Sequence, residues 1–127
     1  MGRYLTAVRF AVVGLLLITP CSFAQQFKVM SDDGRSEDFF GYSVAIDKGV
    51  ALVGAFKADV KDSEDAGAAY VYIKTKDGWQ QQAKLTATPR YPGDTLGGNV
   101  ALKNGFALLG ARNSDLKKKN LKRRFHF

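Results

Sequence analysis

The chain has 127 residues and a formal net charge of +7, which is enough for one small domain. One cysteine, Cys21, and one histidine, His126, exclude a disulfide framework, a zinc–cysteine site and a Ser-His-Asp triad in the middle of the chain. The charge divides into +2 over residues 1–24, −1 over 25–111 and +6 over 112–127, so an argument for nucleic-acid binding applies only to the last segment.

Residues 1–24 read as a secretory signal peptide. Arg3 and Arg9 precede an apolar run from Phe10 to Ile18, Pro20 breaks it, and Ser22-Phe23-Ala24 offers small residues for cleavage before Gln25. The run is far shorter than the roughly 20 residues of a membrane span, so neither a stable anchor nor a lipid on Cys21 is expected. The mature chain is expected to be exported, to a periplasmic or extracellular location.

A repeat then begins. At an offset of 56, Asp38, Gly41, Val44, Ala45, Gly49, Ala51, Leu52, Gly54 and Ala55 recur as Asp94, Gly97, Val100, Ala101, Gly105, Ala107, Leu108, Gly110 and Ala111, nine identities in eighteen positions. Upstream, "QQFKV" at 25–29 matches "QQAKL" at 81–85, which predicts a lone strand around Phe27 to Met30. Within the unit, the apolar runs Tyr42 to Ile46 and Val50 to Val53 flank Asp47-Lys48-Gly49, a three-residue hairpin loop. Ala68 to Lys74 and Trp79 to Ala87 flank a second turn at Lys76-Asp77-Gly78. Trp79, Ala83, Leu85 and Ala87 alternate, which places them on one face of a strand. Asp38 and Asp94 precede the same Gly-containing element in each copy and are expected to make local turn hydrogen bonds. The second copy reaches only about residue 110, a half unit. Four antiparallel strands at a period near 50 predict an all-β chain of propeller blades, about one and a half of them in an incomplete ring.

These motifs resemble FG-GAP repeats, the blades of integrin-α-type β-propellers and of many exported bacterial proteins. Phe40-Gly41 and Leu96-Gly97 match the Phe-Gly element, and Gly54-Ala55 and Gly110-Ala111 match the Gly-Ala element. The resemblance covers residues 25–111 and implies a non-catalytic binding or adhesion role, with a protein or a glycan as ligand. Three features depart from the pattern. Phe56 and Arg112 replace the usual Pro after Gly-Ala. The loop that holds calcium in integrin-type repeats has shrunk to Asp47-Lys48-Gly49 and Lys103-Asn104-Gly105. A ring of about seven blades needs a longer stretch than this one.

The loop "KADVKDSEDAG" groups Asp59, Asp62, Glu64 and Asp65, weak candidates for calcium and for paired-acid catalysis. Its plainer reading is a solvated connection between hairpins, so no cofactor is expected. The aromatics Phe39, Phe40, Tyr42, Tyr70, Tyr72 and Trp79 read as packing between blades, with a ligand surface as the alternative. After Ala111 a blade strand should follow a polar loop. Instead six Lys or Arg stand among residues 117–124, and residues 112–127 read as a disordered tail left by an interrupted reading frame. The alternatives are a solvated natural end, a basic arm for anionic lipid or nucleic acid and, for the chain as a whole, the remnant of a propeller enzyme. Open sheet edges predict self-association.

Overall fold

The computed structural model describes residues 25–114 and, as backbone, 124–126; the expectations for the signal peptide and for most of the basic segment lie outside the described residues. All regular structure among them is β. Strands β1 (Ser43–Asp47), β2 (Val50–Ala55), β3 (Ala68–Thr75) and β4 (Gly78–Leu85) form one antiparallel sheet in the order β1-β2-β3-β4. Strands β5 (Leu96–Lys103), β6 (Phe106–Ala111) and β7 (Arg124–His126) form a second sheet in the order β5-β6-β7. Both predicted hairpins are present, but each turn has two residues rather than three, because Asp47 pairs with Val50 and Thr75 with Gly78. Lys48 and Asn104 occupy the left-handed region at φ 47° and 49° before Gly49 and Gly105, both at 77°, as a two-residue hairpin turn requires.

The sheets pack face to face. On the front of the first sheet, Ala51, Val53, Ala55, Tyr70 and Tyr72 form a core that Val29, Phe40 and Trp79 cover. On its back, Leu52, Ala69 and Val71 meet Val100, Leu102, Ala107 and Leu109 of the second sheet. Alternation along β2 explains both cores: successive residues point to opposite faces, and both faces are buried. The back core is aliphatic and small, so β5 can lie close across β1 and β2.

Four further expectations need correction. Residues 25–30 form no ladder. A strand needs a paired neighbour, and this segment instead lies over the front core as a strap, through Val29 and a hydrogen bond from the Tyr72 hydroxyl to the Met30 carbonyl at 2.8 Å. Trp79 and Leu85 do not share a face. Tyr72 pairs with Gln81 whereas Val71 pairs with Ala83, so Gln82 is an extra residue, a β-bulge that reverses the alternation. Trp79 therefore joins the front core, and Ala83 and Leu85 join the back. Arg124–His126 pair antiparallel with Phe106–Leu108, so this part of the basic segment is a third strand of the second sheet rather than disordered tail. The aromatic residues do not fill the space between sheets, for the reason given below.

Candidate functional site

The repeat motif builds the seam between the two sheets. Gly54 of the Gly-Ala element faces Gly97 of the next Phe-Gly element, and a Cβ on Gly54 would run into the Gly97 carbonyl and Ser43 Oγ. A Cβ on Gly97, which has φ +90°, would run into the Ala68 carbonyl and come within 3.3 Å of Ala55 N. Both glycines thus permit backbone-to-backbone approach that any side chain would block. Ala55 and Leu96 are buried beside them, and Phe40 is half-buried against Tyr70 and Tyr72 with ring centroids at 5.5 and 6.2 Å. Gly41, Gly110 and Ala111 hold the same motif positions at the outer ends of the pair, with the neighbouring sheet missing among the described residues.

Hydrogen bonds fix the register of the seam. Ser43 Oγ donates to the Gly97 carbonyl at 2.7 Å. At the opposite end Asp47 accepts from Asn104 N at 2.6 Å, and Lys48 Nζ donates to Asn104 Oδ1 at 2.8 Å. The two hairpin turns are therefore stacked, a role that sequence reasoning did not give Ser43, Lys48 or Asn104. The signal was present: Lys48 and Asn104 are related by the 56-residue offset. Asp38 and Asp94 behave as expected. Both are buried, and each accepts from a backbone N–H three residues earlier, Arg35 at 2.9 Å and Tyr91 at 2.8 Å.

The larger aromatics lie elsewhere. Phe40, Tyr70, Tyr72 and Trp79 belong to the front core, because their positions alternate onto the face away from the second sheet. Phe39 and Tyr42 are exposed and gather around Phe56, at centroid distances of 5.2 and 4.5 Å. Lys57 Nζ stands 5.6 Å from the Phe39 ring. Tyr42 and Phe56 also line a small recess with Thr95, Gly98, Asn99 and Arg112. The result is an exposed aromatic cluster with two cations at the loop end of the seam. Phe56 and Arg112, the residues that replace the family's Pro, are both part of it.

The acidic loop organises itself. Asp59 pairs with Arg35 Nη1 at 3.0 Å and accepts from Asp65 N at 3.0 Å. The backbone carbonyls of Glu64 and Asp65 accept from Gly93 N at 2.9 Å and Thr95 N at 3.1 Å, so the loop ties the first repeat to the entry of the second. Asp62 is exposed. Among the described residues no three acidic, histidine or cysteine side chains gather to hold a metal ion.

One polar network secures the strap. Tyr70 donates its hydroxyl proton to Asp33 Oδ1 at 2.9 Å, and Lys84 pairs with Asp33 Oδ2. The Lys84 hydrogen bond holds the Asp33 carboxyl below its ordinary range. Burial opposes the charge on Lys84, but its bonds to Asp33 and Tyr70 outweigh that and raise it. Burial pushes Tyr70 up, and pushes Tyr72 up to about 12.

The profile of the FG-GAP repeat family matches residues 23–72 and 79–122. The two matched segments start 56 residues apart, the offset of the repeat, and the second runs past Ala111 into the basic segment. No curated protein and no solved structure matched the chain.

Proposed function

Because this chain belongs to the FG-GAP repeat family, we propose that it is an exported, non-catalytic binding module that takes a protein or a glycan at the cluster of Phe39, Tyr42 and Phe56. The observation that carries the reading is the exposure of Phe39 and Tyr42 around the half-buried Phe56. Apolar side chains that form one contiguous exposed patch mark a recognition surface more often than singly scattered ones do. Lys57 beside Phe39 and Arg112 beside Tyr42 add charge at the rim, which suits carboxylate-bearing sugars or acidic loops. Export rests on the charged start, apolar run and small-residue cleavage motif of residues 1–24. The lysine run after Ala111 suggests an interrupted reading frame, against which stand the family match to residue 122 and the strand at Arg124–His126; the downstream DNA read in all three frames tests it.

The binding experiment screens the protein and its Phe39→Ser/Tyr42→Ser variant against a glycan array and a panel of surface proteins. Both side chains are exposed, so the variant should melt like the parent. Binding that the variant loses supports the reading, and binding that it retains assigns the ligand to another surface.

A further inference from the structure

The two copies of the repeat share one backbone. Gly41 and Gly97 lie at φ 89° and 90°, Phe39 and Thr95 both at 54°. Differences in burial between equivalent residues therefore report only what stands next to each copy. On the back of the first sheet Leu52 is 0 % exposed, whereas its counterpart Leu108 on the second is 55 % exposed. On the front of the second sheet Val100 and Leu102 are half-buried, whereas their counterparts Val44 and Ile46 are 58 % and 65 % exposed. The glycines repeat the contrast. A Cβ on Gly54 or Gly97 strikes the neighbouring sheet, but one on Gly41 meets nothing within 4 Å, and one on Gly110 meets only Asn99 of its own sheet, at 3.5 Å.

We propose that the back of the second sheet, at Ala101, Leu108 and Gly110, docks onto Gly41, Val44 and Ile46 of a second copy of this chain. The contact continues the internal seam from one molecule to the next. Several features commit the occupant to a second copy. The two uncovered surfaces are counterparts of the two that already fit together within one chain. Asn99 stands where Ser43 stands and carries an amide that can donate to the Gly41 carbonyl as Ser43 donates to Gly97. The second sheet, moreover, has three strands among the described residues. On the first sheet, Val29 of the strap packs on the front core as its counterpart Leu85, from a fourth strand, packs on the back core. An incoming second sheet, with its three described strands, thus finds the strap in the place of a fourth. The strap covers the middle of the front and leaves the β1 row open, so the contact is small.

Such an interface is head-to-tail rather than two-fold, and it forms a ring if the rotation closes. Counting the two described sheets of each chain, about three or four copies would fall within the usual range of roughly 4–8 blades. One polar contact is not preserved. Lys103 stands where Asp47 accepts from Asn104 N, and it would face Lys48 of the next copy. Association should accordingly be weak, and salt should strengthen it by screening the two lysines.

The test uses sedimentation of the purified protein over a range of concentrations. Leu108→Asp and Ile46→Asp each alter an exposed side chain, so each should keep the parent's melting temperature while weakening association at least about tenfold. Mixed together, they retain one intact back and one intact front, and should form a dimer that grows no further. Lys103→Asp restores the missing acceptor and should tighten association. A parent that stays monomeric throughout, an Ile46→Asp variant that still self-associates through like faces or β1 edges, or a mixture that stays monomeric would each overturn the proposal.

Discussion

Gly54 and Gly97 face each other across the seam so closely that neither has room for a Cβ. Gly110 is the repeat counterpart of Gly54 but has open space toward the side where a next sheet would stand. Neither Gly54 nor Gly110 has a positive φ, so an alanine at either carries no backbone strain. We expect Gly54→Ala to destabilise the protein by about 3 kcal/mol through overpacking, and Gly110→Ala to stay within about 0.5 kcal/mol. Urea unfolding of both variants measures the difference, and equal losses would refute the seam as the reason for the motif.

Leu52 and Leu108 offer the same comparison in large side chains. Leu52 lies wholly inside the core between the sheets, so Leu52→Ala should cost about 2–5 kcal/mol, transfer and cavity terms together. Leu108→Ala should leave the dilute protein near its parent stability. Thermal melts at low concentration, where association is absent, give both values.

The strap makes stability fall at alkaline pH. A tyrosine in the unfolded chain ionises near pH ~10, but Tyr72 in the folded protein holds its proton to about 12. Between those values the unfolded state releases a proton that the folded state keeps, so stability drops as pH rises through the window. The raised Lys84 acts in the same direction. Asp33 acts at the other end: its lowered carboxyl supports the fold above the unfolded value of 3.8, and that support is lost as pH falls through the folded value. Tyr72→Phe should remove the latest component of the phenolate absorbance titration and flatten the alkaline slope. At neutral pH it should cost about 1 kcal/mol, the hydrogen bond to Met30.

Thr95 is strained twice. It is a β-branched residue at φ 54°, a left-handed conformation such residues rarely adopt, and among the described residues its buried hydroxyl has no hydrogen-bond partner. Thr95→Gly relieves both costs at some loss of chain entropy, for a net gain of about 1 kcal/mol. In a domain of this size that corresponds to a rise in Tm of about 4–8 °C, measurable by calorimetry.

The repeat, its hairpins and the all-β class were legible in the sequence, because nine identities at one offset and the period-two runs are local signals. The use of the glycines was half legible. The offset marks Gly54 and Gly97 as motif positions, but only the packed sheets show that each leaves room for the other. Other features depend on partners that a linear pattern does not name. Residues 25–29 match the sequence of a strand, yet no neighbouring strand pairs with them, and they become a strap. The acidic loop read as a solvated connection with weak calcium candidates, and its composition did not reveal that Asp59 holds Arg35 and the backbone of Asp65. The aromatic cluster required Phe56 to come beside Tyr42, across the β1–β2 hairpin.

Gln82 has a consequence for how such a chain can change. A bulge absorbs this extra residue, so that Trp79 addresses the neighbour in front and Leu85 the neighbour behind although an even spacing separates them. One strand thereby carries two separate messages, each of which can vary without altering the other. Deleting this single position would leave both intact: Gln81 would still oppose Tyr72 and Ala83 would still oppose Val71, now as consecutive residues of a regular ladder. The strand thus tolerates one residue more or less at this point, because the change stops at the bulge before it reaches either core.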